Sequence, residues 1–349
     1  MTLPQIDSEH TLDFLTTLLN IPSPTGFTDR AIDYIEDALK VFPVLYTYRT
    51  RKGALVARWD GEQDDAPRAV TAHTDTLGAM VKEIKSNGRL MLTKIGGFSW
   101  ITVEGEGCTI FKQDGTTERG ALLVINASTH IHGRDIEKTE RSDHNMEVRL
   151  DAVTTSDTET RELGIEVGDF VAFDPRVEIT NGFVRSRHLD DKACVANIFS
   201  GIHAMIRAGL RPKQTTYFHI SNYEEVGHGA SAGIPDSVHE LLTLDMAAVG
   251  RGQTSNEFQA TICVKDSGGP YHYGLNRKLR ALADEHAIPY QVDIYPYYGS
   301  DGEAFWRAGG DVAVALIGPG VDASHNYERT HLDSINAVTN WLMAFLLSD

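Results

Sequence analysis

The feature that most limits how this 349-residue chain can fold is an interruption. Up to residue 77, and again from 184, apolar strand-like runs alternate with helical stripes, while residues 78–183 are short, β-rich segments broken by turns. In the first stretch, "SEHTLDFLTTLL" places Leu12, Phe14, Leu15, Leu18 and Leu19 on one helical stripe, opened by Ser8 as a cap and closed by "IPSPTG". A second helix is expected over about 27–41, followed by strands in "GALVARW" and "RAVTAHTD". The interruption holds "MVKEIKSNGRLMLTKIGG", "WITVEGEGCTIFKQDGTTERGALLVI" and "VGDFVAFDP", with no long helical period. Beyond it, "DKACVANIFSGIHAMIRAGL" reads as a helix, "TTYFHIS" as a strand and "ELLTLDMAAVG" as a strand carrying Asp245. "NRKLRALADEHAI" reads as a helix, "VAVALIGPG" as a strand and "INAVTNWLMAFLLSD" as a closing helix. The economical reading is an α/β domain in two pieces, residues 1–77 and 184–349, with a mixed central sheet flanked by helices. A β-rich domain, residues 78–183, is inserted between them. In such sheets ligand sites gather beyond the carboxyl ends of strands.

Five stretches put His, Asp or Glu at those ends: "VTAHTDT", "RHLDDKA", "YEEVGHG", "LTLDMAA" and "DASHNYE". Each alone has an ordinary explanation. A histidine on a buried strand is usually a satisfied core residue, an Asp before a helix is a cap, and a loop histidine is solvated. But His73 is followed two residues on by Asp75, a carboxylate able to hold the imidazole tautomer. Asp190 is doubled by Asp191, where one cap would suffice. Asp245 stands among apolar residues on a strand, where an unpaired carboxylate is costly. Glu224 and Glu225 are adjacent, and neighbours on a strand point to opposite faces, so they cannot flank one bond as a glycosidase acid–base pair does. Where the strand ends, one can bind a cation and the other can carry a proton.

Jointly, His73, Asp190, Glu225, Asp245 and His325 are two imidazoles and three carboxylates. That donor set suits Zn²⁺, Co²⁺ or Mn²⁺. If Asp190 bridges, two ions each receive three protein donors and keep an open position, the arrangement of hydrolytic two-ion sites. Glu224 is then the candidate proton carrier. The three cysteines, Cys108, Cys194 and Cys263, form no CxxC pair, which argues against a thiolate site and for a reducing cytoplasm. A net charge of -17 disfavours nucleic acid and anionic membranes as partners, and the acidic N-terminus lacks the form of a signal peptide.

"HTD", "LDD", "EEVG", the Asp after "LTL" and the late His, in this order across the whole chain, resemble metallopeptidase family 42 of clan MH, the glutamyl and TET aminopeptidases. The resemblance implies the sheet arrangement of di-zinc aminopeptidases with a PDZ-like dimerisation insert. It implies two divalent ions per chain, zinc or cobalt foremost: one held by His73, Asp190 and Asp245, the other by Asp190, Glu225 and His325. Glu224 would be the general base and Asp75 would orient His73. It further implies short peptide substrates and a homo-oligomer built of dimers, up to a tetrahedral dodecamer. The chain departs from the family at Lys192, where Arg is usual, and at "SHNYERTHLDS", where Glu328 follows His325 by three and His331 is a second imidazole. "YGSDGEAF" replaces a Gly-Thr-Asp stretch and makes Asp301 a candidate substrate contact, while His228 has no assigned role. The "SHNYERTHLDS" wording resembles a bacterial subgroup tied to the N-acetylglutaminylglutamine amide osmoprotectant. An amidohydrolase or deacylase acting on a small peptide-like metabolite, and a non-catalytic assembly protein of this fold, are the competing readings.

Overall fold

The computed structural model describes residues 2–349 and divides the chain into two compact units, residues 76–175 and the remainder. The larger unit is built on a mixed twelve-stranded sheet. At its centre Gln214–Ser221, Gln63–His73, Glu240–Leu244 and Ala313–Asp322 run parallel to one another. Leu55–Trp59 and then Leu45–Arg49 extend one side antiparallel. On the other side Glu328–His331, Phe183–Ser186 and the three-residue strand Glu178–Thr180 complete it. Ala247–Val249 pairs with the end of Ala313–Asp322, which also pairs with Ala260–Lys265, and Tyr290–Ile294 runs parallel to the latter as the twelfth strand.

The central strands are apolar on both faces because both are covered, the pattern of a buried parallel sheet. Side chains alternate between two cores. Val70, Ala72, Leu242, Leu244, Ala315 and Ile317 meet helices Ser8–Leu19, Asp29–Lys40, Leu189–Arg207, Tyr273–Glu285 and Leu332–Leu347. Ala69, Leu241, Val314 and Leu316 face a smaller core that includes Ile234, Tyr271 and Trp306. The smaller unit closes six antiparallel strands into a barrel around Val81, Leu92, Ile110, Leu122, Val148 and Val171. Three short helices, Thr129–His132, Asp135–Lys138 and Asp157–Glu162, lie between its strands.

Two local expectations change. The first helix is capped by Asp7, not Ser8: the Asp7 carboxylate accepts from the His10 amide at 3.2 Å. The strand expected to carry Asp245 stops at Leu244 and resumes at Ala247, so Asp245 sits in the gap. A strand-centred Asp would disrupt packing in the core, whereas a break lets its side chain leave it. Among the described residues no helix is long and apolar enough to cross a membrane.

Candidate metal centre

His73 is the last residue of its strand, Asp245 follows directly on Leu244, and Glu224 and Glu225 open a 3-10 turn three residues after Ser221. Asp190 lies in the first turn of Leu189–Arg207, where the backbone is not yet helical, and His325 lies past the end of Ala313–Asp322 with φ +62. These ends converge. One donor atom each from His73, Asp190 and Asp245 lie within 4.8 Å of one another, and so do donors from Asp190, Glu225 and His325.

Asp190 joins the two groups. Its Oδ1 lies 3.1 Å from His73 Nε2 and its Oδ2 lies 3.4 Å from His325 Nε2. Glu225 Oε2 is 3.7 Å from His325 Nε2. Glu224 belongs to neither group, yet its Oε2 is 3.7 Å from His73 Nε2.

The role expected of Asp75 takes a different form. Asp75 is beyond the strand, so two-residue periodicity does not place it; the turn does. His73 Nδ1 donates to the backbone carbonyl oxygen of Asp75 at 2.9 Å, with the carboxylate Oδ1 at 3.5 Å. A carbonyl only accepts, which fixes the proton on Nδ1 and leaves the Nε2 lone pair facing Asp190. The Asp75 carboxylate meanwhile accepts from the amides of Glu224 (3.0 Å) and Glu225 (3.2 Å) and from Thr25 Oγ1 (2.6 Å).

That second task recurs. Asp191 Oδ2 accepts from the His73 amide at 3.2 Å. Glu328 Oε2 accepts from the Asp190 amide at 3.0 Å, and its Oε1 from the His325 amide at 3.1 Å. Asp245 alone among the donors has its amide on a backbone acceptor, Ile317 O at 3.2 Å. The spacing Asp190–Asp191 and His325–Glu328 hinted at these helpers, but nothing in a linear pattern says which carboxylate takes which amide.

Seven carboxyl groups therefore crowd one strand-end pocket. Burial and the nearby Asp190 push Glu225 up to about 8. Burial, with neighbouring acids, also raises Asp191, Glu224, Asp245 and Glu328 well above the usual carboxylate range. Asp190 goes the other way: His325 and His73 overcome its burial and hold it low. His73 is raised, since its contacts with Asp190 and Asp75 override burial. Oxygen-rich, buried and short of positive charge, the set fits divalent cations, which offset the repulsion these acids otherwise relieve by taking up protons.

The remaining singled-out residues are placed as follows. Asp301 is buried at the start of helix Asp301–Arg307, and its carboxylate accepts from Ala230 N (2.7 Å), Thr71 Oγ1 (3.3 Å) and Ser221 Oγ. It braces the return of the Glu224–Glu225 turn. Gly229 is needed there, because a Cβ would stand 2.1 Å from Asp301 Oδ1. His228 stacks on Tyr223, and His331 caps Leu332–Leu347 by accepting from the Asp333 amide. Lys192 points away from the aspartates. Its ammonium donates to the carbonyls of Leu18 (3.0 Å) and Ile21 (2.7 Å), and burial lowers it to about 7.

Comparison with known proteins bears on the family and the fold. The family model described as M42 glutamyl aminopeptidase matches residues 53–340. Over 339 residues the chain is 48% identical to YhfE of Bacillus subtilis (strain 168), an aminopeptidase by provisional name, with 97% of each chain covered. The lysyl aminopeptidase of Pyrococcus furiosus is 24% identical over 280 residues, 77% of this chain and 74% of its own. Among solved structures, aminopeptidase APDkam598 from the archaeon Desulfurococcus kamchatkensis matches with a TM-score of 0.88 at 20% identity, covering 98% of this chain and 96% of its own. The Pyrococcus horikoshii TET1 peptidase, described as assembling into a tetrahedron or a large octahedral shell, matches with a TM-score of 0.85 at 21% identity, covering 97% and 100%. At those identities the structural likeness is one of fold.

Proposed function

This chain belongs to the M42 glutamyl aminopeptidase family, a family of metal-dependent peptidases, and from that membership we propose that it removes N-terminal residues from short peptides using two divalent ions and Glu224 as general base. The observation that carries the two-ion reading is Asp190, whose two oxygens face two different imidazoles. In this reading His73, Asp190 and Asp245 hold one ion, and Asp190, Glu225 and His325 the other. Zinc or cobalt suits the mixed imidazole and carboxylate donors. Bound there, such ions would lower the pKa of a water molecule and stabilise negative charge developing on the scissile carbonyl.

The chain's own groups supply the rest. The Asp75 carbonyl keeps the His73 proton on Nδ1, so that Nε2 can donate its lone pair. Glu224 stays outside both donor groups, 3.7 Å from His73 Nε2, and its buried environment raises its proton affinity. A carboxylate so tuned can take the proton of the attacking water and hand it to the leaving amine. The turn that fixes Glu224 is held at its amide by Asp75 and at its return by Lys52, whose ammonium donates to the carbonyls of His228 and Gly229.

We also assign the chain to homo-oligomers, with the barrel unit as the dimerising element, by likeness to the tetrahedral and octahedral TET1 shells. The three buried free cysteines suit a reducing cytoplasm.

Glu224→Gln tests the mechanism. It keeps shape and an acceptor oxygen but cannot take up a proton. Hydrolysis of aminoacyl-4-nitroanilides should fall by roughly 10²–10⁴-fold with metal content unchanged. Undiminished turnover would sink Glu224 as the base. In the same panel, cleavage of acyl amides lacking a free α-amine, in preference to aminoacyl substrates, would turn the reading to a deacylase.

A further inference from the structure

We infer that Glu328 is a positioning residue that sets up the second ion's site by holding the backbones of two of its donors, Asp190 and His325. The inference rests on the two-ion reading. Glu328 begins strand Glu328–His331, opposite Ser186, and is completely buried. Its two oxygens are divided between two amides from distant stretches, Asp190 N at 3.0 Å and His325 N at 3.1 Å.

Both of those backbones depart from regular structure. His325 has φ +62, a left-handed value uncommon for a residue with a side chain. Asp190 has ψ 104 inside the first helical turn. Neither amide is in a sheet ladder, and the left-handed conformation of His325 persists only when surroundings over-determine it. The two groups of donors differ in this respect. His73 ends a long parallel strand whose ladder runs to its last residue, and the Asp245 amide is on Ile317 O. Two of the first group's three donors are thus anchored by the sheet, whereas two of the second group's three depend on one carboxylate. Glu225, its third donor, is anchored separately through Asp75.

The chemistry of the side chain makes the dependence specific. A carboxylate is an acceptor at both oxygens, so it can face two N–H groups at once. A carboxamide of the same shape has one oxygen and one NH₂, and the NH₂ would meet an N–H. Glu328→Gln therefore releases one of the two backbones without emptying the space. Glu328→Asp keeps both oxygens and the charge but is one methylene short of spanning both amides.

The test compares metal content and affinity in full-length wild type, E328Q and E328D, loaded with Zn²⁺, passed through a desalting column and titrated by calorimetry, alongside turnover. Wild type should retain two ions per chain. E328Q should retain one, take up the second with an affinity roughly 10–100-fold weaker, and recover turnover as free Zn²⁺ rises. E328D should behave in the same direction, because reach and not charge is what it lacks. Wild-type protein holding fewer than two ions would overturn the two-ion reading and this inference with it. With wild type at two, E328Q binding both at wild-type affinity overturns the inference alone. So does loss of both ions together, since the effect is then not selective. E328D binding normally while E328Q does not would show that charge, and not the tether, matters. If E328Q does not fold, the E328D result decides in the same way.

Discussion

Buried carboxylates are handled in opposite ways in the two units. In the barrel, Glu147 is 2% exposed and meets Lys85 Nζ at 3.1 Å and the Arg89 guanidinium, so the protein supplies the balancing charge itself. At the strand ends of the larger unit, seven carboxyls share one pocket, the closest ion pairs of Asp190 are with two imidazoles, and five of the acids have raised proton affinity. A buried acid beside lysine and arginine is finished structure. A crowd of acids that relieves its repulsion by protonation is chemically suited to cations from outside.

Metal removal should separate the two most strongly. Chelation should cut hydrolysis roughly a thousandfold or more, as expected for losing several kcal/mol of charge stabilisation. It should also speed amide exchange around residues 190, 224–225 and 325, while the barrel strands Gly107–Phe111 and Thr117–Val124 keep their protection. Equal loosening of both would erase the distinction.

A smaller effect tests the other side. Glu147→Ala leaves Lys85 and Arg89 without their buried partner, but both are partly exposed, at 20% and 38%, and can turn to solvent. The cost should be about 1–3 kcal/mol in urea unfolding, with metal content unchanged. A drop in bound metal would show that the barrel's charge balance is not its own affair.

The smallest effect concerns an acid pair settled by a proton. Burial and the adjacent Asp266 push Glu303 up to about 8, and Arg307, 2.8 Å away, only partly opposes them. Since an unfolded Glu titrates near about 4.3, the folded chain holds the extra proton between those values. Its contribution to stability is full below about pH 4.3 and is lost as the pH rises through 8. The stability of wild type relative to Glu303→Gln should therefore decline from pH 5 to pH 8.5, on the order of 1 kcal/mol. A flat difference would mean Glu303 is ionised throughout.

Much of this was open to reading from the chain. The alternation of apolar runs and stripes outlines the mixed sheet and its helices, and the acid and imidazole residues that gather are those standing just past apolar runs. What escaped has physical causes. Asp245 looked strand-borne because a two-residue break in a ladder leaves no compositional mark. Ser8 looked like the cap because Asp7, its neighbour, caps equally well. The amide tethers of Asp191 and Glu328 were invisible, because hydrogen bonds to backbone N–H are blind to the identity of the residue that donates.

Asp75 shows where this leads. Its carboxylate is in contact with Thr25 and the amides of both glutamates, while its carbonyl holds the His73 ring. Substitutions at positions 25, 73, 75 and 224 should not behave as independent changes. In double-mutant cycles their effects should couple by about 0.5–3 kcal/mol. A chain built this way cannot exchange its site residue by residue. Change has to come in sets, so that even distant relatives would be expected to inherit this corner whole or lose it whole.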